Sequence, residues 1–130
     1  MVEQDERVRQ QVADFALGVL RFVRGLRRDL ASDSIIRHIA RGAGSVSGNY
    51  RAACSARSLP ECISKLGIAL AEADEIAHWF WMAGQLRLGN SEKLAALDAE
   101  AKQLRAILAE SISAARRRLQ RDLDTRRIER

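Results

Sequence analysis

Glu75-Ile76-Ala77-His78 is the one stretch of this chain whose spacing suggests metal chemistry. A Glu and a His three apart share a helix face. Two such pairs on facing helices, with two further Glu ligands, hold di-iron centres in helical bundles. Here the second pair is missing, because Ile35 stands three residues before His38. Four carboxylate ligands do not assemble, HExxH is absent, and no metal or other cofactor is implied. Gly42-Ala43-Gly44 lacks the preceding strand and the Lys-Ser/Thr ending of a phosphate loop. Ser45 and Ser47 have no His and Asp at a recognisable spacing. Cys54 and Cys62 form neither CxxC nor a zinc pattern. They read as small core or interface residues of a reducing compartment, so the expected location is cytoplasmic. Glu72, Asp74 and Glu75 read as partners for Arg on a neighbouring helix or subunit, not as an acid–base pair. No catalytic set remains, and the expectation is that the chain is not an enzyme.

Arginine is the residue left to explain. The net charge is +5, and 19 of the 22 basic residues are Arg. Residues 1–58 carry a net +4, residues 59–115 a net −3 and residues 116–130 a net +4. A polyanionic partner, RNA or DNA, accounts for that skew, whereas an uncharged or acidic one does not. Arginines that only solvate helix faces are the competing explanation. The candidate contacts are Arg116, Arg117, Arg118, Arg121, Arg126 and Arg127, with Arg24, Arg27 and Arg28 as a second patch. Such binding is phosphate-directed, salt-dependent and weakly sequence-specific. The runner-up function is a protein-interaction scaffold with no direct nucleic-acid binding, its Arg residues meeting acidic subunit surfaces. No apolar run reaches the roughly 18 residues that point to a membrane span, and the N-terminal region has no apolar signal core.

These residues must be positioned by helices. Ala, Leu, Arg and Glu dominate, and Pro60 is the single proline. The spacing predicts an all-α, antiparallel up-down-up-down bundle of one domain over 1–130. Its helices fall at about 4–30, 34–56, 59–87 and 91–125, with a basic C-terminal extension at 116–130. The first stripe is Val8, Val12, Phe15, Val19, Phe22 and Leu26, widened by Ala16, Leu20 and Val23. Ser32 or Asp33 is the expected cap of the second helix, whose stripe is Ile35, Ile39, Gly42, Val46, Tyr50 and Ala53. Its glycines predict close approach of a neighbouring helix, with a kink near Gly42–Gly44 as the alternative. Ser58-Leu59-Pro60-Glu61 reads as a capping box. The third stripe runs Ile63, Leu66, Leu70, Ala73, Ala77 and Phe80, with Ile68, Ile76, Trp79 and Trp81 off it. Gly89 is the expected left-handed stop, and Asn90 or Ser91 the next cap. The fourth stripe is Leu94, Leu97, Ala101, Leu104, Leu108, Ser111, Ala115 and Leu119.

Asn49 reads as a residue that sets register or oligomer state, because a buried amide needs partners. Trp79 and Trp81 are two apart and cannot share a helix face, so one fills the core while the other meets a neighbour or water. With Asn49 and Tyr50 they form the expected structural and assembly set, and the apolar surface left over argues for self-association.

The motifs come in a recognisable order. Ser45-Val46-Ser47-Gly48-Asn49-Tyr50-Arg51 precedes Ser58-Leu59-Pro60-Glu61-Cys62-Ile63. Then follow Lys65-Leu66-Gly67-Ile68-Ala69-Leu70-Ala71-Glu72-Ala73-Asp74-Glu75 and His78-Trp79-Phe80. Over roughly residues 8–115 this resembles the bacterial four-helix-bundle family that includes the 23S ribosomal RNA intervening-sequence proteins. Ala52 stands where the family often has an acidic residue, and Cys62 where it usually has Phe. The resemblance implies a four-helix up-down bundle assembling as a ring-like homopentamer, with no catalytic residues. A related branch, the accessory variability proteins of diversity-generating retroelements, is similar in fold. It implies a basic pentamer that partners a reverse transcriptase and nucleic acid.

Overall fold

The computed structural model describes residues 6–130 and contains four helices: α1 Glu6–Arg24, α2 Leu30–Cys54, α3 Leu59–Gln85 and α4 Ser91–Glu129. The expected helix start at Gln4 lies outside the described residues. Neighbours in sequence are neighbours in space, and α1 closes the bundle against α4. Short connections force each helix to reverse direction. Two close approaches show the antiparallel sense: a Cβ on Gly18 would meet Leu97, and one on Gly84 would meet Leu94.

The core is the meeting line of four apolar stripes. On α2 the buried positions match the expected stripe from Ile35 to Ala53. On α3 the stripe is rotated from the one expected. Leu59, Cys62, Leu66, Ala69, Ala73, Ile76, Phe80 and Ala83 are buried, while Ile63 and Leu70 sit at its edge. Ile76, expected off the line, is only 1% exposed. α3 packs against both α2 and α4, so its apolar band has two shoulders, and periodicity does not say which shoulder is central. On α4, Ile112 replaces Ser111, whose hydroxyl donates instead to the Ile107 carbonyl at 3.0 Å. Leu20, expected to widen the α1 stripe, is exposed, as is Leu17.

Helix α2 is unbroken through its glycines. Gly42 is buried against α3, where a Cβ would lie 3.4 Å from Ile76. Gly44 and Gly48 are exposed, and a Cβ on either would meet nothing within 4 Å. Close approach within the chain therefore accounts for one glycine and leaves two unexplained.

The helix ends correct three expectations. The α2 cap is Asp29, not Ser32 or Asp33: its Oδ1 accepts the Ser32 N–H at 2.9 Å and the Ser32 hydroxyl at 2.6 Å. Ser32 is thereby a buried N3 residue, and α2 begins four residues earlier than expected. At α3, Ser58 Oγ accepts the Glu61 N–H at 3.2 Å, but Glu61 returns its bond to the Arg57 N–H at 3.0 Å. At the end of α3 the left-handed residue after the cap is Arg87, at φ 55°. The Leu88 N–H bonds to Ala83 and the Arg87 N–H to Gly84, a Schellman closure. Gly89 is also left-handed, at φ 68°, for a different reason: a Cβ there would stand 2.6 Å from Leu26 and 2.9 Å from Phe22. It lets the α3–α4 turn press onto the end of α1. Asn90 then caps α4, accepting the Lys93 N–H at 2.9 Å.

Two substitutions separate these roles. Arg87→Gly is expected to stabilise the fold by about 0.5–1 kcal/mol, because a side chain no longer resists the left-handed conformation. Gly89→Ala is expected to destabilise it by about 1–3 kcal/mol through overpacking. Urea denaturation followed by circular dichroism measures both.

Candidate functional site

The acidic cluster of α3 is shared between its neighbours. Arg41 on α2 reaches Glu72 at 3.4 Å and Glu75 at 3.6 Å, and Arg105 on α4 reaches Asp74 at 2.6 Å. These carboxylates are bridging partners of Arg within the chain, and their exposed pairs contribute little individually. His78 does not join them. No group of three or more His, Cys, Asp or Glu among the described residues could hold a metal ion. Neither cysteine forms a disulfide; burial raises the Cys62 thiol above its ordinary pKa, which keeps it protonated and unreactive.

An aromatic band crosses the outer side of α3 at the level of Arg41. The His38 ring from α2 stacks on Trp79, centroids 4.0 Å apart and nearly parallel. His78 meets Trp79 edge-on at 4.9 Å and continues to Trp81 at 6.3 Å. Neither tryptophan is central to the core. Trp79 is half-buried at its edge and donates its indole N–H to Glu75 at 3.3 Å, while Trp81 is 61% exposed. Tyr50 is a core residue. Asn49 is half-buried, and its amide donates to its own helix, to the Ser45 carbonyl at 2.9 Å and Ser45 Oγ at 3.2 Å. Among the described residues these bonds tie it to its own helix. Beside the band, His38 Nδ1 and Glu72 Oε2 are buried without a hydrogen-bond partner.

The arginines fall at opposite ends of the bundle. Arg24 ends α1, and Arg27 and Arg28 lie in the α1–α2 connection, at the end where α4 begins. Arg28 is bound to Asp33, which Arg37 also reaches at 2.9 Å. The other cluster starts where the core stops. Ala115 is the last buried residue of α4, and the helix continues to Glu129 with residues 120–130 all exposed. At 1.5 Å per residue, the helix runs about 15 Å past the half-buried Leu119, and Arg24 is separated from Arg116 by about 35–40 Å of bundle. The fold therefore does not join the two patches. Arg117 reaches back to Glu110 at 3.1 Å. The extension is part of one continuous helix, so it needs no nucleus of its own.

The model of the 23S rRNA-intervening sequence protein family matches residues 4–110. The chain belongs to that family. A solved structure of a protein of unknown function from the S23 ribosomal protein family of Bacteroides thetaiotaomicron superposes with a TM-score of 0.73. It is 22% identical and covers 84% of this chain and 97% of that one. No curated protein matches the chain. The match to the family model ends before Arg116, so the arginine extension lies outside it. No helix among the described residues is long and apolar enough to cross a membrane.

The α1–α2 corner carries a pH dependence. Hydrogen bonds from Ser32, first from its hydroxyl and then from its backbone N–H, hold Asp29 below the ordinary aspartate pKa. The hydrogen bond from Arg28 does the same for Asp33. Both folded-state values are depressed, so the stabilisation is present above the unfolded value near 4 and is lost as pH falls through the folded values. Melting temperature is expected to fall below about pH 4, and Asp29→Asn, which still caps but does not titrate, is expected to flatten that fall. Thermal melts at pH 6 and pH 3 compare the two.

Proposed function

We propose that this chain is a non-enzymatic, self-associating helical bundle that binds RNA or DNA through its arginine-bearing α4 extension. The process it serves would be RNA-related, including an accessory role beside a reverse transcriptase. The observation that carries the reading is the extension itself. Seven arginines and three acidic residues follow Ala115, the last buried residue of α4, and residues 120–130 are all exposed. A polyanion uses that charge, and burial does not require it. The family's own description names an rRNA intervening sequence, in keeping with an RNA-related setting. Full-length protein is expected to shift labelled oligonucleotides in anisotropy titrations at low salt, with affinity falling steeply as salt rises. A chain ending at Ala115 is expected to lose most of that binding while keeping its helical melt. Equal binding by the truncated chain sinks the proposal.

The assembly part, a homopentamer in the reading from resemblance, rests on surface that the single chain leaves open. Gly44 and Gly48 are four apart on the solvent side of α2. Each costs roughly 1 kcal/mol against Ala in a helix, with no intrachain contact in return. Exposed Ile68 and the unpartnered Glu72 Oε2 lie on the α2 side of α3, whereas exposed Trp81 lies on its other flank, toward Asp74. Gly44→Ala and Gly48→Ala are expected to weaken assembly in light scattering by blocking close approach. If the surface is unused, the same changes leave the mass unchanged and raise stability by about 1 kcal/mol each.

A further inference from the structure

Charge is unevenly placed around the α4 extension. At 3.6 residues per turn, Arg126, Arg130, Arg116 and Arg127 fall within about 100° of its circumference, with Leu119 and Leu123 between them. That half of the helix holds no acidic residue after Ala115. The opposite half holds Arg117, Arg118 and Arg121, together with Asp122, Asp124 and Glu129. On that same side Arg117 reaches Glu110 at 3.1 Å. The net +4 of residues 116–130 therefore lies on one half of the helix, and the other half is balanced. The charged half also has a direction. Leu123, near its centre, stands 18 residues and so about five full turns beyond Arg105, whose guanidinium meets Asp74 on α3. The charged half continues the buried side of α4, from Leu108, Ile112 and Ala115 through the half-buried Leu119.

We infer that Arg116, Arg126, Arg127 and Arg130 form the phosphate-binding face of the extension, and that Arg117, Arg118 and Arg121 face away from the nucleic acid. The inference rests on the nucleic-acid reading above and divides arginines that the reading treats alike. A phosphate row on the balanced side would meet three carboxylates along with three guanidiniums, so attraction and repulsion would nearly cancel. On the charged side it meets four guanidiniums and no carboxylate. The polyanion then lies on the α3 side of the extension, beyond the last buried turn of α4. From Arg116 to Arg130 the face runs about 21 Å, or about six nucleotides of a strand at 3.4 Å each. Contacts of this kind hold the backbone and carry no sequence information, so DNA and RNA strands share the site.

The test compares two full-length triple variants that lose the same charge. One carries Arg116→Gln, Arg126→Gln and Arg127→Gln, the other Arg117→Gln, Arg118→Gln and Arg121→Gln. Each is titrated against labelled oligo(dT) and oligo(U) over a range of salt. The first variant is expected to bind both strands at least about tenfold more weakly, with a salt slope lower by about 2, from three phosphates at about 0.7 each. The second is expected to stay within about threefold of the unchanged chain, with its slope kept. Circular dichroism checks that both keep their helices. Equal effects from the two variants, or a larger loss from the second, overturn the one-faced site and leave binding by the extension standing. Absence of binding by the unchanged chain overturns both readings.

Discussion

Helix α3 has to bury two sides at once, and the rest of the bundle is arranged around that need. Small side chains line its central seam: Ala69, Ala73 and Ala83 are fully buried, facing a core to which α2 contributes Gly42, Ala43 and Ala53. Ile76 fills the space that Gly42 leaves. Helix separation is set by the side chains between the axes, so small residues draw the helices together. The charged residues at the edges follow from the same placement. Glu72 and Glu75 meet Arg41 from one neighbour, and Asp74 meets Arg105 from the other. With α2 and α4 committed to α3, α1 completes the core from one side only, which is why Leu17 and Leu20 remain exposed.

The same arrangement decides where charge is left. In the net negative middle of the sequence, Glu72, Asp74 and Glu75 are paired with arginines from α2 and α4. The arginines past Ala115 are all exposed. Stability and charge are thus segregated along α4, whose first part is packed and whose last part is extended into solvent. Asp29 and Asp33 show the contrasting case at the other end, where Arg28 is drawn into a cap-and-corner network.

Much of this was legible in the residues. Four helices, their order and most of the α1, α2 and α4 core positions follow from periods of three and four. The Ser58 cap was legible from a serine followed by proline and glutamate. Asp29 was missed because Ser32 and Asp33 are equally good caps by type, and only the buried position of Ser32 separates them. Arg87 was missed because glycine is the usual left-handed residue, and Gly89 stood two positions away. The α3 stripe was missed because an apolar residue on a two-sided helix fits either shoulder. Of the candidate site, the arginine positions were legible but their distribution was not. Two patches that read as one charge class are a bundle length apart.

Which segments are helical, which faces are apolar and where positive charge accumulates can be read from the residues alone, because these depend on residue type and on neighbours three or four positions away. Tertiary structure decided which shoulder of α3 is core, which glycine has a partner, and that α4 outruns the bundle. It also brought His38 onto Trp79 and Arg105 onto Asp74, pairs about thirty to forty residues apart. The physical reason is that helix periodicity is local, whereas burial is settled only when another helix arrives to exclude water.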